Sequence, residues 1–238
     1  SYLLRDPNNH LNPDQADSHV IDDYRRDNNK KLLRDIPFAD FITPLDFGSP
    51  DITGHVLYVM GELGLAGKEN ARKISKALGY LKKSQRKDGS WYGRWGVTFI
   101  YGTSKVLQAL EVLYREGYPL KGFKKPVERS LAWLKGIQNE DGGWGEDCRS
   151  FDNDVYCPLG KSTASQTAWA MLGLMGAGYS GSQLRKAADY LVRTQTADGS
   201  WKEDYYTGGG FPGTFYLRYE LYKDYFPLMA LGKYRSDR

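Results

Sequence analysis

KALGYLKKSQRKDGSW at residues 76–91 returns as RSLAWLKGIQNEDGGW at 129–144 and as KAADYLVRTQTADGSW at 186–201. Each copy carries an aromatic–aliphatic pair (Tyr80-Leu81, Trp133-Leu134, Tyr190-Leu191), a glutamine four residues after the aliphatic, and then Asp-Gly-x-Trp. The tryptophans fall 53 and 57 residues apart, the length of a helix pair in an α-solenoid or an α/α barrel. Ile74, Ala77, Leu78 and Leu81 recur at helical spacing, with Lys76, Lys82 and Lys83 on the polar side. Gly89, Gly142 and Gly199 can turn the chain sharply after each helix. Gln85, Gln138 and Gln195 are placed to satisfy backbone groups left open at helix ends, and Trp91, Trp144 and Trp201 to cover the turn. Identical chemistry at three places reads as scaffold, not as three active sites.

Working outward, Asp51-Ile52-Thr53-Gly54-His55 opens a helix whose apolar face is Val56, Val59, Met60 and Leu63, with Ser49 or Asp51 as N-cap and Gly64 and Gly67 as its end. Further helices are expected over 69–85, 98–116, 124–138, 162–175 and 182–195, with Thr163 or Ser165 capping the one over 162–175. Residues 139–161 form the longest loop. A last inner helix, with Pro212 at its first turn, is expected to reach about Tyr225, where Pro227 breaks or kinks it. Four inner helices alternate with three outer ones. The expected fold is all-α, an incomplete α/α toroid over 51–238, preceded by an irregular segment over 1–50.

The 238 residues suffice for one sizeable core. Eighteen Tyr, nine Phe and six Trp exceed what helix packing requires and suggest a lined cavity. The net charge of +4 is mild and the basic residues are dispersed, so nucleic-acid binding is not indicated. Two cysteines, Cys148 and Cys157, favour a reducing cytoplasm over a disulfide framework. No signal peptide is visible, and no stretch of about 18 apolar residues could span a bilayer. Peripheral (monotopic) attachment to the inner membrane face, through an apolar patch, stays compatible with the sequence.

Phe211, Phe215, Tyr219 and Tyr222 stand at i, i+4, i+8 and i+11, one face of a helix: either a core stripe or a cavity wall. With Trp95, Phe99 and Tyr101 one unit earlier, several aromatic faces could converge. Aromatic faces attract cations by about 2 kcal/mol or more when desolvated. Such a wall suits a reaction that passes through carbocations.

The threefold repeat resembles the QW repeat of triterpene cyclases; its one departure is Ser130, where that family prefers Gly or Ala. IPFADF (36–41), DITGHVL (51–57), DGSWYGRWGVTFIYGT (88–103), NEDGGWGEDC (139–148), STASQTAWA (162–170) and DGSWKEDYYTGGGFPGTFYLRY (198–219) narrow the resemblance to squalene–hopene cyclases, and Arg94 to the bacterial ones. The resemblance implies metal-free, cofactor-free, proton-initiated polycyclisation of squalene or a similar linear isoprenoid. It implies that His55 hydrogen-bonds the catalytic carboxylic acid and sharpens its acidity, with Asp51 supporting the network and Tyr101 joining it through water. It also implies that Trp95, Phe211, Phe215, Tyr219, Tyr222 and Tyr24 line the cavity. Two plainer readings stand beside these: Asp51 as a helix cap, and His55 as a core histidine.

The family's acid lies in a DxDD motif, which does not occur in this chain; the nearest text is Val20-Ile21-Asp22-Asp23. The chain therefore looks like the C-terminal part of a cyclase, with a missing N-terminal half as its partner. An alternative is a catalytically inactive lipid-binding or interaction remnant. A protein prenyltransferase β-subunit is disfavoured, because its zinc site needs Asp, Cys and His while both cysteines here share one loop and the only barrel histidine is His55.

Overall fold

The computed structural model describes residues 48–211 and 215–236. Gly48–Arg238 forms one compact unit. Its helices are α1 (Pro50–Glu62), α2 (Ala71–Ser84), α3 (Thr98–Arg115), α4 (Lys124–Gly136), α5 (Arg149–Asn153), α6 (Ala164–Gly176), α7 (Ser182–Thr194) and α8 (Tyr222–Ser236). Two short antiparallel hairpins interrupt them: β1 (Trp144–Glu146) with β2 (Pro158–Thr163), and β3 (Gly208–Phe211) with β4 (Phe215–Leu217).

The inner series runs α1 on α3, α3 on α6 and α6 on α8, with α2, α4 and α7 outside it. Burial follows this order: every residue of α6 is buried, whereas α2 and α7 bury one apolar stripe each. The ends of the series are less covered. Ile52 and Val59 on α1 with Leu63 at its C-cap, and Tyr225, Leu228 and Met229 on α8, are exposed.

The repeat explains the packing. Each tryptophan indole N–H donates to a carbonyl in the last turn of its own outer helix: Trp91 to Leu81 O (2.7 Å), Trp144 to Leu134 O (2.9 Å) and Trp201 to Leu191 O (2.9 Å). The open helix end is thus satisfied by tryptophan, while glutamine takes a different task. Gln85, Gln138 and Gln195 Nε2 each donate to the turn glycine carbonyl, at 3.0, 2.8 and 2.8 Å. Gln85 also donates to Pro126 O (2.8 Å) and Gln138 to Gln183 O (2.9 Å), both in the first turn of the next outer helix. The turn glycines have φ of +100°, +92° and +85°, and a Cβ on Gly89 or Gly142 would strike the next outer helix's backbone at 2.7 or 2.6 Å. Among the described residues, Gln195 and Gly199 have no following outer helix to join.

A graded prediction follows from this difference. Gln85→Ala and Gln138→Ala are expected to cost about 1–2 kcal/mol each, since each orphans a turn carbonyl and an inter-repeat bond. Gln195→Ala is expected to cost less than either. Urea unfolding followed by circular dichroism measures the order.

Most helix expectations hold within a few residues, and α1 ends on Gly64 at φ +66° as its sequence suggested. Thr163 caps α6, accepting from Gln166 N. Neither proposed cap of α1 bonds its helix by a side-chain N-cap: Ser49 occupies the N-cap position, and Asp51 turns elsewhere. The loop over 139–161 contains β1, α5 and most of β2.

The last inner helix is placed wrongly by the sequence. Residues 208–217 form the β3–β4 hairpin, and α8 begins only at Tyr222 and continues through Pro227 to Ser236. The glycines of β3 decide this. A Cβ on Gly208 would lie 2.6 Å from Trp95 O, and one on Gly209 about 3.0 Å from the Phe151 ring, so the strand passes where only bare backbone fits. Phe211, Phe215, Tyr219 and Tyr222 therefore do not share a helical face.

Candidate active site

Asp51 lies in the first turn of α1 and is 1% exposed. Its Oδ2 accepts from the backbone N–H groups of Arg94 (2.9 Å) and Trp95 (3.1 Å), in the loop that follows Trp91. Its Oδ1 is buried with no hydrogen-bond partner. Burial pushes the Asp51 carboxyl above its usual range, and hydrogen bonding, from the Ser49 hydroxyl first and then from the Trp95, Ile52 and Arg94 N–H groups, pulls it back only part-way. A buried carboxyl of this kind can hold a proton.

His55, one turn further along, is exposed. Partial burial and the charge of Lys105 lower its pKa, and Asp51 opposes that. Tyr101 projects from the first turn of α3. Burial, then Asp51, keeps its phenol protonated far above the ordinary range. Tyr80 on α2 donates to Gly48 O and is pushed up to about 12, by burial first and Asp51 second.

Tyr101 starts a continuous aromatic cluster. It meets Trp169 of α6 edge-on at 4.9 Å; Trp169 meets Tyr222 (6.0 Å) and Phe226 (5.5 Å) of α8; Tyr222 stacks on Tyr219 at 4.8 Å. Gly208 lies between the Trp95 backbone carbonyl and the edge of the Tyr219 ring. Lys105 Nζ lies over the rings of Tyr101 (5.3 Å) and Phe226 (5.5 Å).

Of the residues read from the sequence, Asp51 acts electrostatically on both His55 and Tyr101, and Tyr219 and Tyr222 join the adjoining cluster, whereas the Trp95 ring is exposed beneath the Arg94 guanidinium. Phe211 and Phe215 pair across the β3–β4 hairpin, with Phe215 exposed. Tyr24 lies outside the described residues. Phe99, expected among the converging faces, is instead fully buried, edge-on to Tyr92 at 5.9 Å and beneath the Arg86 guanidinium. Trp169, Phe226 and Lys105 are additions. Trp169 was visible within STASQTAWA, but nothing in its spacing separates a cavity tryptophan from a core one.

Two glutamates, one buried and one half-buried, position these helices and escaped the sequence reading. Glu146 is 0% exposed; its Oε2 accepts from Thr98 N (3.0 Å), Phe99 N (3.0 Å) and Ile100 N (2.9 Å), capping α3 from another repeat. Glu203 caps α6 in the same manner, accepting from Ser165 N (2.8 Å) and Ser165 Oγ (2.6 Å). Both stand two residues after the repeat tryptophan. At the first repeat that position is Gly93, and the polarity is reversed: the loop supplies N–H donors and α1 supplies the carboxylate, Asp51.

Residues 14–236 match the family model of the squalene-hopene cyclase C-terminal domain. The chain belongs to the squalene–hopene cyclase family. It is 45% identical over 225 residues to the squalene–hopene cyclase of Zymomonas mobilis, covering 93% of this chain and 33% of that protein. To the squalene–hopene cyclase of Alicyclobacillus acidocaldarius it is 46% identical over 215 residues, covering 90% and 33%. A dammaradiene synthase of Dryopteris crassirhizoma is 37% identical over 90% of this chain and 34% of its own length. The chain thus spans about a third of these curated relatives.

Among solved structures, ent-copalyl diphosphate synthase from Streptomyces platensis superposes with a TM-score of 0.51 at 18% identity, over 80% of this chain and 32% of that one. A polysaccharide lyase superposes with a TM-score of 0.53, also at 18% identity, over 93% and 69%. At such identity the likeness concerns the fold alone: this cyclase-family chain is built as an all-α, α/α-barrel type of domain. Among its described residues no helix is long and apolar enough to cross a membrane.

Proposed function

We propose that the chain forms the C-terminal part of a triterpene cyclase cavity, acting on squalene or a similar linear isoprenoid by proton-initiated carbocation chemistry. One observation carries this reading: a buried carboxyl with an unpartnered oxygen, Asp51, stands with His55 and Tyr101 beside the aromatic cluster of Trp169, Tyr222 and Tyr219. Protonating an alkene needs a strong acid, and a carboxyl hydrogen-bonded to a histidine supplies one. His55 is the hydrogen-bonding partner of that acid, and Asp51 orients it. Tyr101 stays protonated and serves as a donor, not as a base. The aromatic faces then stabilise successive cations without offering a nucleophile. The acid belongs to the part of a complete cyclase that carries DxDD.

The reading is tested by incubating the purified 238 residues with squalene in detergent and analysing the lipid extract by mass spectrometry. No cyclised product is expected from the chain alone, and product is expected once the N-terminal part of a bacterial cyclase is added. In that combination His55→Phe should lower turnover by about 10²–10⁴-fold, the usual contribution of acid–base assistance. Product from the chain alone would overturn the placement of the acid. Saturable binding of a squalene analogue, with no product in the combination, would favour a lipid-binding remnant.

A further inference from the structure

Two of the aromatic positions read from the sequence already carry a cation of their own. Lys105 Nζ lies over the rings of Tyr101 at 5.3 Å and Phe226 at 5.5 Å, and the Arg94 guanidinium lies over the Trp95 ring at 4.9 Å. Lys105 is no loose surface lysine. Its backbone is pressed against α1, where a Cβ on Gly54 would sit 2.9 Å from Lys105 O. Both rings beneath its ammonium stand edge-on to Trp169, at 4.9 Å for Tyr101 and 5.5 Å for Phe226. Further along both helices, Lys233 of α8 bonds Glu111 of α3 at 3.1 Å. The rings that receive the Lys105 ammonium are therefore held by packing of their own. Among the described residues, no basic side chain lies over the rings of Tyr219 and Tyr222.

We propose that Lys105 is a specificity-determining residue: its ammonium fills the cation place on the Tyr101 and Phe226 rings and denies it to a positively charged ligand or reaction intermediate. The physical ground is twofold. A ring attracts a cation to its face through its quadrupole, and here that attraction is already spent on the ammonium. A second cation brought to the same rings also meets the first at close range, where a half-buried site screens the repulsion less than water does. Positive charge on a bound isoprenoid is then left to the Tyr219–Tyr222 pair, stacked at 4.8 Å. The inference rests on the cyclase reading and deepens it, because it separates the rings that serve a cation from those that do not. Without the ammonium, the Tyr101 and Phe226 rings become an open cation site.

The test is a binding measurement on this chain and needs no turnover. Decyltrimethylammonium, kept below its micelle concentration, supplies a cation on an apolar tail, and decanol supplies the same tail without the charge. Calorimetric titrations compare the unmodified protein with Lys105→Met, Lys105→Arg and Lys233→Met. Lys105→Met keeps an apolar stem and is expected to bind the ammonium probe about tenfold more tightly, the gain from one desolvated cation–ring contact. Lys105→Arg still covers the rings and is expected to show no gain. Lys233→Met removes the same charge away from the rings and is expected to show none either. Adding Phe226→Leu to Lys105→Met is expected to abolish the gain. No gain in Lys105→Met, or one that survives Phe226→Leu, would overturn the inference. So would an equal gain in Lys233→Met, which would mean general charge, or an equal gain for decanol, which would mean loosened packing. If Lys105→Met loses its helical circular dichroism, Lys105→Gln replaces it under the same criteria. The squalene assay reads turnover and this one reads affinity, so either reading can fail alone.

Discussion

Trp144→Ala is expected to lower the unfolding free energy by about 3–5 kcal/mol, the range for removing a fully buried tryptophan. Trp144 is 0% exposed, its indole N–H satisfies Leu134 O, and its backbone N–H donates to Thr167 Oγ1 at 3.0 Å. It therefore joins an outer helix, α4, to the next inner one, α6. Alanine leaves a cavity the size of an indole and orphans a buried carbonyl. Trp144→Phe separates the two losses: it fills most of the volume and loses only the hydrogen bond, at about 1–2 kcal/mol. Trp91 makes the corresponding bonds to Leu81 O and Thr103 Oγ1 and should behave alike. Urea midpoints for the unmodified protein, Trp144→Ala and Trp144→Phe decide the matter. Equal, small losses for the alanine and phenylalanine variants would mean that the tryptophan only covers the turn.

The helical frame was legible because its signals are local. Periodic apolar residues and Asp-Gly turns give α1, α2, α3, α4, α6 and α7 close to their observed bounds. The hairpin over 208–217 was not legible. Phe211, Phe215 and Tyr219 mimic a helical face by spacing alone, whereas their backbone is set by non-local close approach, Gly208 against Trp95 and Gly209 against Phe151. Short-range periodicity cannot register contacts made 58 and 113 residues away.

The site divides in the same way. Asp51, His55 and Tyr101 could be picked out because they sit in resembling motifs on two adjacent helices. Lys105 could not: in sequence it is one more lysine on a helix, and only the fold brings the Phe226 ring of α8 to its ammonium beside Tyr101 of its own helix. The capping glutamates were readable in principle. Aligning the repeats two residues past each tryptophan gives Gly93, Glu146 and Glu203, and the exception marks the repeat where Asp51 takes over as acceptor. The candidate site thus occupies the one interface among the described repeats where the structural carboxylate changes sides.

Glu146 carries the second large expectation. Glu146→Ala removes the sole carboxylate serving the N–H groups of Thr98, Phe99 and Ile100 and is expected to cost about 3–5 kcal/mol, with α3 and its Tyr101 and Lys105 loosened first. Glu146→Gln keeps an acceptor of the same shape and should cost far less, which makes it the better probe of charge. Burial raises the Glu146 pKa from 4.5 to about 7, against the pull of the three N–H groups. With a folded pKa above the unfolded one, its contribution is fully present below about pH 4.5. As pH rises toward 7 the unfolded chain releases this proton before the native chain does, so stability falls; above 7 the contribution is constant. Unfolding free energies measured from pH 4.5 to 8 should therefore decline more steeply in the unmodified protein than in Glu146→Gln. Parallel curves would mean that Glu146 is ionised throughout, with the three N–H groups and the α3 dipole outweighing desolvation. The two outcomes also differ for the neighbouring site. A protonated Glu146 leaves the N-terminus of α3 its positive end, one turn from Tyr101, whereas an ionised one cancels it.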